Sequence, residues 1–277
     1  GIASDPPPME PKINYIDHKQ SAEQMTMFFP GLTTDQLPGG EGWAVEMLQI
    51  STHNGTHLDA PYHFHSTMDK GKPSLTIDEI PLEWCFQNGV KLDFRHFEDG
   101  YVVTPDDIKR ELERIDYQLS PLDIVIVNTS AGKKYGQDNY VSSGCGVGYD
   151  ATIYLLEQGV KITGTDGWSW DAPFPLTAQE YAKSGDPAII WEGHRASMEV
   201  GYCHMEKLTN LDQLPPTVRT NIVECLQAAV VLAKDDDRFV GDIVGHPVAR
   251  IGQIALAFHH LPDFRPQQVF FSFCVLV

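Results

Sequence analysis

The sequence predicts an α+β (mixed α/β) fold, one domain with a mostly β core. Three observations carry that expectation. A chain of 277 residues is long enough to bury a large core. Strand-like apolar runs and helix-like segments mix without the strict alternation of a doubly wound sheet. No internal repeat or linker divides the chain, so residues 1–277 read as a single domain.

The elements follow in order. Residues 1–12 are rich in proline and read as an extended arm. Residues 43–50 alternate roughly between apolar and polar side chains without Gly or Pro, which predicts a strand. That strand feeds a polar segment, residues 51–64, where Gly55 and Pro61 argue for a loop held at a strand end. Thr104, Pro105, Asp106 and Asp107 combine a cap, a first-turn proline and first-turn acids, so a helix is expected over residues 104–117. Residues 122–128 read as a buried strand. Residues 149–158 read as a helix closed by Gly159, and residues 160–163 as a short strand. A short helix over residues 178–183, a strand over 201–208, an amphipathic helix over 222–234 and a buried strand over 269–277 complete the reading.

Composition excludes some functions. The formal charge of −18 argues against nucleic acid and anionic membranes, because both demand basic patches. No apolar run reaches the roughly 18–20 residues of a membrane span, and the first residues lack the charged-then-apolar pattern of a signal peptide. Five scattered cysteines without a C-x-x-C pair fit reduced thiols, so a cytoplasmic location is expected.

The chemistry concentrates in residues 51–64. His53, His57, Asp59 and His63 fall within a dozen positions, among small residues that let chain segments approach one another. Imidazole and carboxylate are common ligands of Zn²⁺, Mn²⁺ and Fe²⁺. Four clustered polar groups that need partners when buried are most simply satisfied by a shared cation. Asp59 has two oxygens and suits a bridge between two ions. The plainer reading is a polar turn whose histidines bond backbone groups.

His53-x-Gly55-Thr56-His57-x-Asp59-x-Pro61-x-His63-Phe64 resembles the signature of the cyclase-like metal hydrolases, a family that includes bacterial kynurenine formamidase and isatin hydrolase. Residues 164–171, Gly-Thr-Asp-Gly-Trp-Ser-Trp-Asp, are similar to a second block of the family and sit closest to its isatin hydrolase branch. Glu206-Lys207-Leu208-Thr209-Asn210-Leu211 is similar to a third, and His194 precedes Glu206 at the family's separation. The resemblance implies a swivelling β/β/α scaffold, usually oligomeric, here a homodimer or homotetramer. It implies His53, His57 and Asp59 as metal ligands. His194 and Glu206 would complete a second site or support the first, and His63 would transfer protons. After about residue 220 the chain is atypical for the family.

The expected function is therefore hydrolysis of a C–N bond, amide or lactam, in a small aromatic substrate, using water activated by Mn²⁺ or Zn²⁺. A metal-dependent cyclase, lactonase or dehydratase is the alternative, and a metal-binding scaffold without turnover is the third. Asp166 and Asp171 read either as groups that orient ligand imidazoles or as turn caps. Trp43, Trp168, Trp170 and Phe174 read either as pocket walls or as core. His65, His204, His259 and His260 lack motif support and read as structural or solvated, and Cys145 is not expected to be a nucleophile.

Overall fold

The structure, a computed structural model, describes Asp5, residues 9–218 and residues 275–276. The chain folds as two compact units. The smaller comprises Pro11–Gln49 and Ala233–Ser272, and only its first segment lies among the described residues. There β1 (Lys12–Ile16) pairs antiparallel with β2 (Val45–Gln49), from Lys12 opposite Gln49 to Ile16 opposite Val45. α1 (His18–Phe28) connects them. Asp17 starts this helix by accepting from the amides of Lys19 and Gln20, while the Gln20 side chain accepts from the Asp17 amide. Trp43 belongs to this unit, with its ring against Phe28.

The larger unit holds the remaining strands in chain order. They are β3 (His57–Asp59), β4 (Thr67–Met68), β5 (Lys72–Pro73), β6 (Gly89–Asp93), β7 (Val102–Val103), β8 (Ile124–Asn128), β9 (Gly146–Val147), β10 (Ile162–Thr165), β11 (Cys203–Glu206), β12 (Thr217–Val218) and β13 (Val275–Leu276). Seven of them form one sheet in the order β12-β6-β8-β10-β11-β3-β13. The centre β6-β8-β10-β11 is parallel, and β3 joins β11 antiparallel. β13 pairs parallel with β3, which places the expected C-terminal strand at the sheet edge as far as residues 275–276 show it. The helix expected over 222–234 lies outside the described residues.

β8 reads Ile-Val-Ile-Val-Asn because it is buried on both faces. Val125 and Val127 pack with Val90 and Leu92 against Ile108 and Leu112 of α3 (Pro105–Arg114) and Leu155 of α4 (Tyr149–Glu157). Ile124 and Ile126 face the other way, with Leu58, Ile162, Cys203 and Leu208. The mixed α/β class with a mostly β core is as expected.

Boundaries moved for local reasons. α3 has the expected Thr104 cap with Asp107 as its reciprocal partner, and it ends at Arg114 rather than residue 117. The strand after α4 begins at Ile162, because the Val160 amide is used to close the helix by donating to the Leu155 carbonyl. α5 (Phe174–Ser184) starts four residues before residue 178, since prolines in a first turn lose no hydrogen bond, and Gly185 at φ +66° ends it. Among the described residues no helix is long and apolar enough to cross a membrane.

Candidate metal centre

The histidine segment is less of a loop than its glycine and proline suggest. His53 lies in a turn, but His57 and Asp59 lie on β3, paired to β11 with Asp59 opposite His204 and His57 opposite Glu206. Pro61 takes the first position of the one-turn helix α2 (Pro61–Phe64), which carries His63. Each small residue of the motif has a task. Gly55 adopts φ +64°. The Thr56 hydroxyl donates to the Lys207 carbonyl at 2.7 Å, tying the turn to the end of β11. Phe64 is buried and stacks on His204 at 4.6 Å between ring centres.

His53, His57, Asp59, His194 and Glu206 are brought together. His53 Nδ1, His57 Nε2 and Asp59 Oδ1 form a triangle with sides of 3.1, 3.1 and 3.3 Å. Ligand atoms about 2.0–2.2 Å from one ion lie roughly 3.0–3.5 Å apart, so the triangle fits one face of a coordination shell. Asp59, His194, His204 and Glu206 form a second group, with one ligand atom each within 4.8 Å of the others. Asp59 belongs to both. His57 Nε2 lies 3.7 Å from Glu206 Oε2, so the groups adjoin.

The imidazoles are oriented from outside. His57 Nδ1 bonds the Gly55 carbonyl at 2.9 Å, and His194 Nδ1 bonds Asp171 Oδ2. Asp171 also accepts the Gly193 amide at 2.6 Å through Oδ1. Such bonds fix the tautomer and leave the other nitrogen free for a cation. Asp166 turned out differently. It accepts from the Thr129 amide and hydroxyl at 2.8 and 2.7 Å and caps the turn after β8. Of the two aspartates, only Asp171 touches a histidine of the cluster.

The inner group is buried. His57, Asp59 and His204 have no solvent exposure, and His194 and Glu206 have little. Both Asp59 oxygens and His204 Nε2 lack any hydrogen-bond partner, although imidazole nitrogens lie within 3.1–3.3 Å of Asp59. An unpaired buried carboxylate costs several kcal/mol. Atoms at contact distance without hydrogen-bond alignment suit a common point between them, and these residues fit a divalent cation. Burial alone would push His204 down, but the carboxylates of Asp59 and Glu206 outweigh it and hold His204 up at about 9. Burial likewise opposes ionisation of Asp59, yet the surrounding His204, His53 and His57 hold it far below the usual carboxylate range.

His63 stands beside the cluster. Its ring lies 4.1 Å from that of His53 and meets Trp191 and His194 edge-on. Burial is the main reason its pKa falls to about 4, and the neighbouring histidines add to the shift against the pull of Asp59.

Two residues escaped the sequence reading. His204, expected to be structural or solvated, faces the carboxylates. The available signal was its position two before Glu206, since alternate strand residues share a face. Trp191 stacks on His194 at 4.7 Å and lines a cleft of about 650 Å³ with Phe174, Leu176, Ile189, Ile190 and Asp171. Of the expected pocket tryptophans, Trp170 is core, buried against α4 with its indole N–H on Thr152, whereas Trp168 packs edge-on against Phe174. His65 is exposed and bonds Thr67, while His259 and His260 lie outside the described residues. The Cys145 thiol is buried and pushed up to about 12, which removes it as a nucleophile.

The fold belongs to a known class. The Cyclase family model matches residues 8–172, more than half of the chain, and the chain belongs to that family. No curated protein matches it in sequence. Its fold is shared with isatin hydrolases. One, bound to the product analogue thioisatinate, is 18% identical with a TM-score of 0.56, over 76% of this chain and 72% of that one. Isatin hydrolase A from Labrenzia aggregata, bound to benzyl benzoate, is 22% identical with a TM-score of 0.55, over 77% of each chain. Isatin hydrolase A from Ralstonia solanacearum is 21% identical with a TM-score of 0.56, over 75% of this chain and 72% of that one.

Proposed function

We propose that this chain is a metal-dependent hydrolase that opens a C–N bond, amide or lactam, of a small aromatic substrate. Asp59 carries the reading, because its two buried and unpartnered oxygens lie between two sets of imidazoles. A divalent ion held by His53, His57 and Asp59, with His194 and Glu206 as further ligands, would supply Lewis acidity and water of lowered pKa.

The remaining work falls to side chains. With its pKa near 4, His63 is neutral at pH 7 and available as a base. Its conjugate acid gives up a proton readily, which suits delivery to a departing nitrogen that must be protonated to leave. Asp171 holds the His194 ring in place. Trp191 and Phe174 give the neighbouring cleft aromatic walls suited to a flat ring, and Asp171 and Trp191 join that cleft to the wall of the cluster.

Mn²⁺ and Zn²⁺ both suit a His and carboxylate set. The experiment is to assay a panel of lactams, N-formyl aromatic amines and lactones for acid release, before and after chelation and after adding back each ion. Chelator-sensitive opening of a lactam or formamide is expected. Turnover of lactones alone would replace this reading with a lactonase, and full metal loading with no turnover would leave a binding scaffold.

A further inference from the structure

Resting on that metal-centre reading, we propose that His204 is a direct cation ligand. It would close the inner group of Asp59, His194 and Glu206 into a site with four protein ligands. The geometry is specific. His204 Nε2 lies 3.3 Å from Asp59 Oδ2 and 3.2 Å from Glu206 Oε1. These separations match those between ligand atoms sharing one ion. Each Asp59 oxygen serves a different group, Oδ1 towards His53 and His57 and Oδ2 towards His204.

The nitrogen has no other employment. Nε2 has no hydrogen-bond partner although the residue is fully buried. On its far side Nδ1 lies 3.4 Å from the Tyr202 hydroxyl, and the Tyr202 hydroxyl itself donates to the Gly193 carbonyl at 2.9 Å. Phe64 stacks on the ring at 4.6 Å between centres and Trp170 lies near-parallel to it at 6.2 Å, which restrains it from swinging away. A ring packed against aromatic neighbours, with one nitrogen close to two carboxylates, is built for coordination. An imidazolium would serve less well, since one N–H cannot point along two lines.

A difference between the two ions follows. Four protein ligands close a site, whereas three leave a position open for water or substrate. The inner group would then hold its ion in a closed site, and the outer group of His53, His57 and Asp59 would leave a position open.

The test counts ligands without any assay of turnover. Wild-type protein with ¹⁵N-histidine is loaded with ¹¹³Cd²⁺, and imidazoles showing Cd–N coupling are counted. Four are expected, His53, His57, His194 and His204, with two equivalents of bound cadmium. His204→Gln should lose the inner equivalent and with it the coupling of both His194 and His204, whereas His53→Ala should lose the outer equivalent and keep the inner. Since the count is made on wild-type protein, it stands even if a variant fails to fold. Three coupled imidazoles with two bound ions would overturn the role of His204 and leave the metal centre intact. A wild-type protein that binds no cadmium, zinc or manganese would overturn both.

Discussion

Two buried acidic sites lie side by side and are neutralised in opposite ways. The chargeable partners of Asp59 and Glu206 are imidazoles, and Glu206 adds one bond from the Trp170 amide at 3.1 Å. One residue further along the chain, buried Lys207 donates to Asp5 Oδ1 at 2.6 Å and to the His53 carbonyl at 2.6 Å. Asp5 also accepts from the Trp168 indole at 3.2 Å and, through Oδ2, from Asn54 at 2.8 Å. That site is complete within the chain: one cation, one anion and satisfied lone pairs. The neighbouring cluster leaves three buried polar atoms unsatisfied, Asp59 Oδ1, Asp59 Oδ2 and His204 Nε2. Charge alone does not mark a functional site. The mark is buried charge with unsatisfied polar atoms, next to a pair that shows how the same fold neutralises an acid for stability. Lys207 also holds the backbone of His53, so the complete site steadies the incomplete one.

The comparison can be broken in four places. Beside the cluster, His63→Ala should lower kcat by about 10²–10⁴ while metal content by elemental analysis stays the same, because the ring holds no ion. Unchanged turnover would remove it from the reaction. In the complete site, Lys207→Met should cost about 3–5 kcal/mol in urea unfolding, since it strands the buried Asp5 carboxylate. Most of that loss should persist in metal-stripped protein. A loss confined to loaded protein would show that the pair belongs to the metal centre.

Asp166 tests burial without either form of neutralisation. Burial pushes it up to about 7 from an ordinary 3.8, against the hydrogen bonds from Thr129. The folded state keeps a proton that the unfolded chain has already lost between those values. Its contribution is therefore full below pH 3.8 and lost as pH rises to about 7. Relative to Asp166→Asn, the protein should lose up to about 1.4 kcal/mol per pH unit in that window. Parallel stability curves for the two proteins would contradict this. Smallest of the four, Asp171→Asn should weaken metal binding about 10–100-fold in chelator competition, because His194 loses the carboxylate that orients it. An unchanged affinity would make Asp171 a cap for Gly193 alone.

His53, His57, Asp59 and His63 were legible because a single short segment carries them, and local chemistry there needs no knowledge of the fold. His194 and Glu206 were legible only by resemblance, since nothing local joins residues so far from the motif. The helix start at Thr104 was readable because a cap acts within a few residues. Strand limits were not. Where the ladder begins after α4 depends on which amide the helix end has already used.

The amino-acid sequence by itself determined the mixed fold class and which residue types were available as candidate ligands, both of which arise from residue identity and short-range periodicity. Tertiary structure alone decided that His204 joins the cluster, that Asp166 does not, that Trp170 is core while Trp191 lines a cleft, and that Asp5 meets Lys207 from 202 residues away. Each of those outcomes turns on which strand lies beside which and which face of it is buried. Only the closed sheet sets that, because pairing across the sheet is blind to separation along the chain.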